Sequence, residues 1–218
     1  DIFIKLKALD PDNLDYIFAL ADLSQIQKKW DLAIDYYIEG YQINNLAING
    51  LEQALQIALT TSKFNRAQEI CELLIEEDRT NIKLLETMKD LSIFNKNYNS
   101  ALDILEKLEQ LEGYTPEIAI QKSAIFEELN QSDIALDIML EVVKKDSHNL
   151  DILNRLVTLL INQDKNEDAI FYNQKIITFY PDDAQGFINK AIISMDRKNP
   201  QEAILALSPN SNRFSMNF

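Results

Sequence analysis

The stretch LDYIFALADLSQIQKKWDLAIDYYIEGYQINNLA, residues 14–47, decides the fold. In residues 14–27, Leu14, Ile17, Leu20, Ala21 and Ser24 recur at steps of three and four, which is one face of a helix. Residues 31–44 repeat the habit with Ala33, Ile34, Tyr37, Ile38 and Tyr41. Lys28-Lys29-Trp30 between them is too short for anything but a tight antiparallel hairpin. Ala33 stands where the two helices meet, and overpacking by a larger side chain there would cost about 1–3 kcal/mol. A hairpin of this size cannot bury enough apolar area alone, so it must stack on neighbours.

The neighbours are present. Ala33, Ala67, Ala101, Ala135, Ala169 and Ala203 follow one another at intervals of 34 residues. Two residues before each stand Asp31, Asn65, Asn99, Asp133, Glu167 and Gln201, mostly residue types that cap helix N-termini. One residue earlier again, Trp30, Phe64 and Tyr98 form an aromatic column that lapses to Ser132, Asn166 and Pro200. A period held from end to end predicts a solenoid of stacked units rather than one globular core.

In this phase the chain resembles the tetratricopeptide repeat (TPR) family. Leu20-Ala21 fills that family's Leu-Gly/Ala pair, Trp30 its aromatic before the second helix, Ala33 and Tyr37 its Ala-x3-Phe/Tyr pair, and Gly40 its next small position. The resemblance implies an all-α, right-handed α-solenoid of antiparallel helix hairpins. Its units are 14–47, 48–81, 82–115, 116–149, 150–183 and 184–207. The late proline is kept only as Pro181, and the loop glycine is replaced throughout by Lys28, Ser62, Lys96, Asn130, Asp164 and Lys198. Met88-Lys89, Lys122-Ser123 and Lys190-Ala191 depart from the Leu-Gly/Ala pair. Thr115-Pro116 marks a helix start, a capping residue followed by proline at the first helical position.

Residues 1–13 continue the phase backwards. Phe3 and Leu6 fall on the apolar positions of a second helix and Pro11 on the proline position, so a truncated upstream repeat is expected there. Ser208-Pro209 is expected to break the last helix and leave 208–218 as an irregular tail. Four glycines and five prolines form no linker. No apolar run approaches the ~18 residues of a membrane span, and no signal peptide is visible; the location is left open, with a lean to the cytoplasm. The net charge of −14 and pI near 4.5 disfavour nucleic acid and anionic membranes and suit basic partners.

Chemistry is sparse. Cys71 is the single cysteine and His148 the single histidine, so a cysteine or histidine metal cluster, a disulfide and a catalytic triad lack members. Cys71 shares a packed column with Phe3, Tyr37, Leu105 and Met139 and is expected in the core. Glu76-Glu77-Asp78 and Glu127-Glu128 sit near helix ends with no apolar pocket to raise a pKa. No phosphate loop, nucleophile elbow or HExxH occurs. No catalytic residue, cofactor or metal site is expected.

By resemblance, the first helices line a concave groove through the second, fifth, ninth and twelfth positions of each unit. The candidate partner-binding residues are Asp15, Phe18, Asp22, Glu52, Gln56, Glu86, Asp90, Ile120, Glu127 and Asn154. No unit carries the Lys and Asn with which one TPR subclass grips the C-terminal carboxylate of chaperone tails. The groove is acidic in its first half and apolar to neutral in its second, which suits a basic, amphipathic peptide. The expected role is a non-catalytic protein-interaction scaffold holding a partner peptide or helix. The alternatives are an accessory region of a larger enzyme and a scaffold that self-associates through its array ends.

Overall fold

The computed structural model describes the backbone of residues 2–214 and the side chains of residues 2–208, and these divide into two compact units, residues 1–112 and 113–218. In the first, α1 spans Ile2–Leu9, α2 Leu14–Ile26, α3 Trp30–Ile43, α4 Ile48–Thr60, α5 Phe64–Glu77, α6 Ile82–Phe94 and α7 Tyr98–Glu112. In the second, α8 spans Pro116–Glu128, α9 Ser132–Lys145, α10 Leu150–Asn162, α11 Asn166–Phe179, α12 Ala184–Asp196 and α13 Pro200–Phe214. Each unit is an all-α stack of antiparallel hairpins, and strands are absent among the described residues. Even-numbered helices are the first of each hairpin and odd-numbered ones from α3 the second.

The alanine column explains the hairpins. Ala33, Ala67, Ala101, Ala135 and Ala169 have no exposed surface and Ala203 almost none. Buried small residues also recur on the first helices, as at Ala21, Ala58 and Ser123, and the Ser123 Oγ donates to the Ala135 carbonyl (3.2 Å). Around these crossings the long apolar side chains close the stack. In the first unit these include Ile34, Leu51, Ile70, Leu85 and Leu105, and in the second α10 supplies Ile152, Leu153, Leu156 and Leu159, all fully buried.

Every hairpin turns through the same backbone device. Lys28, Ser62, Lys96, Asn130, Asp164 and Lys198, which stand in place of the loop glycine, all adopt positive φ between 57° and 59°. The Lys28 N–H donates to the Gln25 carbonyl (2.9 Å) and the Lys29 N–H to the Ser24 carbonyl (2.8 Å), and the same pair of bonds recurs in each turn. This is the Schellman ending, which satisfies the last carbonyls of the first helix. A left-handed conformation costs a residue with a Cβ about 1–2 kcal/mol, and less for Asn or Asp. Stacking therefore imposes six strained turns that glycine would relieve.

Two expectations need correction. The Asp31, Asn65, Asn99, Asp133, Glu167 and Gln201 column lies inside the first turn of the second helices, not at the cap. Its acidic members favour the helix dipole there. Side-chain caps sit instead before the first helices, at Asn13, Asn81, Thr115, Asn149 and Asp183, with Ala47 the gap in that column, and before one second helix at Asn199, whose Oδ1 accepts from the Glu202 N–H. The second correction is at Ser208-Pro209, where α13 continues to Phe214. Proline removes one intrahelical bond, but the turns either side can persist, and Ser208 Oγ donates to the Ile204 carbonyl (2.8 Å). Residues 215–218 of the expected tail lie outside the described residues.

Lys96→Gly should raise stability by about 1 kcal/mol, whereas Asn130→Gly should gain only a fraction of that. Denaturant midpoints of the two variants measure it. A loss at both positions would show that the turns carry no left-handed strain.

Candidate partner-binding groove

The first helices of the first unit present one shared face. Asp15 and Asp22 on α2, Glu52 and Gln56 on α4, and Asp90 on α6 are exposed, with Glu86 half-buried. Glu52 and Gln56 meet Leu59, Lys83, Leu84 and Thr87 in an open groove of about 570 Å3. Phe18 is a different case. A Cβ on Gly40 would lie 2.4 Å from its ring and one on Gly50 3.0 Å, and the Tyr37 ring lies 6.0 Å away. Phe18 is thus wedged against α3 and α4, where glycine alone leaves room, and acts in packing.

Most of the carboxylates on this face already have partners. Tyr37 Oη donates to Asp22 at 2.5 Å. Burial first, and then the Asp22 carboxylate, push the Tyr37 hydroxyl pKa well up. Lys89 fills the family's small position and is 4% exposed, yet its ammonium emerges between Glu86 and Asp90 and pairs with both. The aliphatic stem lies in the stack while the charge reaches the groove wall. Among the described residues, Asp15 and Glu52 make no ion pair.

In the second unit Ile120 on α8 and Asn154 on α10 line an open groove of about 620 Å3 with Gln121, Asp151, Arg155 and Thr158. Glu127 pairs with Arg155 of the next hairpin, and both side chains are mostly buried. Gln121 and Arg155 occupy the sixth position of their repeats, outside the positions the resemblance singles out. The signal for them is a long polar side chain beside an otherwise apolar stripe. Gln121 Oε1, Asn154 Oδ1 and Arg155 Nε are buried without a hydrogen-bond partner among the described residues. Such groups are rare and each costs about 1–3 kcal/mol until paired.

Elsewhere the reactive residue types sit in plain settings. Cys71 is fully buried, and burial pushes its thiol up to about 12. His148 is exposed, with its ring centroid 4.3 Å from that of Phe179. Among the described residues no group of His, Cys, Asp and Glu is arranged to hold a metal ion, and no helix is long and apolar enough to cross a membrane.

No family model matches the chain, and neither does any curated protein. Solved structures do match its fold. MamA from Desulfovibrio magneticus RS-1, from residue 41 to its end, superposes with a TM-score of 0.61 at 14% identity, over 78% of this chain and 96% of that one. A tetratricopeptide repeat protein from Parabacteroides merdae ATCC 43184 gives 0.53 at 16%, over 99% and 83%. YrrB, described as a TPR protein with an unusual peptide-binding site, gives 0.54 at 14%, over 79% and 89%. At these identities the likeness is one of fold: the chain folds as a TPR solenoid.

Two outcomes follow from the buried groups. Neutralising both partners of Lys89, as Glu86→Gln with Asp90→Asn, should destabilise by a few kcal/mol, about what stranding a buried charge costs. Adding Lys89→Met should recover most of that loss. Recovery failing in chemical denaturation would mean that the lysine is not held by these carboxylates. The second outcome concerns Cys71. The native thiol keeps its proton up to about pH 12, while an unfolded one loses it near ~8.5. The raised native pKa means stability is full below that unfolded value and declines above it. The loss should reach about 2 kcal/mol by roughly pH 10. Cys71→Ala should flatten this slope, and parallel slopes would refute the assignment.

Proposed function

We propose that this chain is a non-catalytic protein-interaction scaffold whose first-helix face holds a peptide segment or helix of a protein partner. The observation that carries the reading is the pair of open grooves on the first helices, one in each unit, the first mixing polar side chains with leucines and the second polar around Ile120. In the second unit, the exposed side chains of Asp151, Thr158 and Gln185 line that groove, and they offer donors and acceptors to a peptide main chain. The shared fold with YrrB, a protein described as having a peptide-binding site, supports a peptide as occupant.

Charge has a smaller part on this face than the residue list suggests. Tyr37 hydrogen-bonds Asp22 without neutralising it, Lys89 offsets one of the two charges of Glu86 and Asp90, and Arg155 offsets Glu127. Attraction for a basic peptide therefore rests on Asp15, Asp22, Glu52 and the remaining charge of that pair in the first unit, and on Glu117 and Asp151 in the second. Shape and hydrogen bonding then supply affinity, and charge supplies rate and partner choice. A second reading, self-association, is favoured by the exposed apolar side chains Met195, Ile204 and Leu205 on α12 and α13.

Peptides selected from a random displayed library against the whole chain test the reading. Gln56→Arg and Thr158→Arg each fill one groove with a bulky exposed side chain, and one of them should weaken a selected peptide at least tenfold. Peptides indifferent to both would put the binding surface elsewhere. A mass that rises with concentration in sedimentation, with no peptide selected, would favour self-association.

A further inference from the structure

The negative charge of this chain is not spread evenly. Helices α3, α5 and α7, the second helices of the first unit, are the most acidic: α5 and α7 each carry four carboxylates against one cation, and α3 three against none. Cations compensate only one side of that face. Lys7 pairs with Glu39 (2.6 Å), Lys63 with Asp31 (2.8 Å), and Arg66 with both Asp35 (2.7 Å) and Glu69 (3.4 Å). Glu72 and Glu76 on α5 and Asp103 on α7 make no ion pair among the described residues. These three form the rim of a groove of about 440 Å3 between α5 and α7, joined by Lys107.

The floor of that groove is apolar. Ile75 of α5, half-buried, lies open in it, and Leu85 and Met88 of α6 and Ile104 of α7, each more than nine-tenths buried, reach it only at their edges. Acidic side chains around an apolar floor make a receptor for an apolar side chain flanked by lysine or arginine. Such a segment gains burial from the floor and charge complementarity from the rim, where no cation of the chain competes except Lys107. The apolar groups at the floor distinguish this place from a merely solvated acidic face.

We infer that the groove between α5 and α7, on the face opposite the first helices, is a docking site for a cationic amphipathic segment of a partner protein. It is separate from the first-helix grooves, so one chain has surfaces for two partners, or for two parts of one.

The probe is a fluorescein-labelled amphipathic helical peptide of lysine and leucine, titrated into the full chain by fluorescence anisotropy. A lysine and serine peptide of equal charge is the companion. The leucine peptide should bind at least tenfold tighter than the serine one and weaken with salt. Glu72→Lys, Glu76→Lys and Asp103→Lys together should reduce its affinity at least tenfold. Asp137→Lys, Asp168→Lys and Asp196→Lys, the same change in net charge on exposed sites of the second unit, should change it about twofold or less. Protein labelled with carbon-13 at the methionine methyl groups gives a readout without substitution. The Met88 resonance should shift on peptide binding while those of Met139 and Met195 stay. Equal loss in both triple variants, equal binding of the two peptides, or a still Met88 signal would each overturn the site. Loss confined to Asp15→Lys with Glu52→Lys would assign the peptide to the first-helix face instead.

Discussion

The close approach of two helices at one alanine per hairpin is the constraint on which the rest of the structure depends. With no side chain beyond a methyl at Ala33 or Ala101, the two backbones come near enough for the larger apolar residues around them to interlock. The same closeness demands a short turn, and the short turn demands a left-handed residue. Six non-glycine residues accept that conformation because the stack holds both ends of each turn in place. Local strain and tertiary packing are therefore two sides of one geometry.

Stacking also decides which surfaces remain for partners. A first helix uses its seventh and eighth positions, such as Leu20 and Ala21, against its own hairpin, and side chains of its other face, such as Asp15 and Asp22, are left outward. Phe18 shows how the division can shift. Its position would face the groove, but glycines at 40 and 50 open a slot that takes the ring into the stack. Lys89 shows the reverse, a residue at a stacking position whose charge returns to the groove. Burying a lysine stem in this way is tolerable only because Glu86 and Asp90 lie one turn back and one residue on.

The period, the hairpins and the burial of Cys71 were legible in the sequence, because small and apolar residues repeat in fixed columns and each column has one environment. The cap column was misplaced because Asp and Asn serve equally at a cap and in a first turn, and the two differ by only two residues. The proline at 209 looked like a stop because a single missing bond was weighed without the turns around it. The pairing of the groove carboxylates was illegible for another reason. Columns describe what repeats, whereas these partners are particular to one repeat: Tyr37 for Asp22, Lys89 for Glu86, Arg155 for Glu127.

Polar contacts across hairpins follow a rule of their own. Lys7 to Glu39, Lys63 to Asp31, Tyr41 to Glu77 and Tyr180 to the His148 carbonyl join residues 32, 32, 36 and 32 apart, close to one period. A side chain on one hairpin thus meets the neighbouring hairpin a few residues out of phase. A repeat protein places its cations by this offset, and a carboxylate is neutralised when a cation stands at that distance on the face it shares. Asp31 and Asp35 have such cations in Lys63 and Arg66. Glu72 and Asp103 have none among the described residues. The stacking geometry in this way sorts the acidity of the chain into compensated stretches, as at Asp31 and Asp35, and stretches whose carboxylates meet no such cation, as at Glu72 and Asp103.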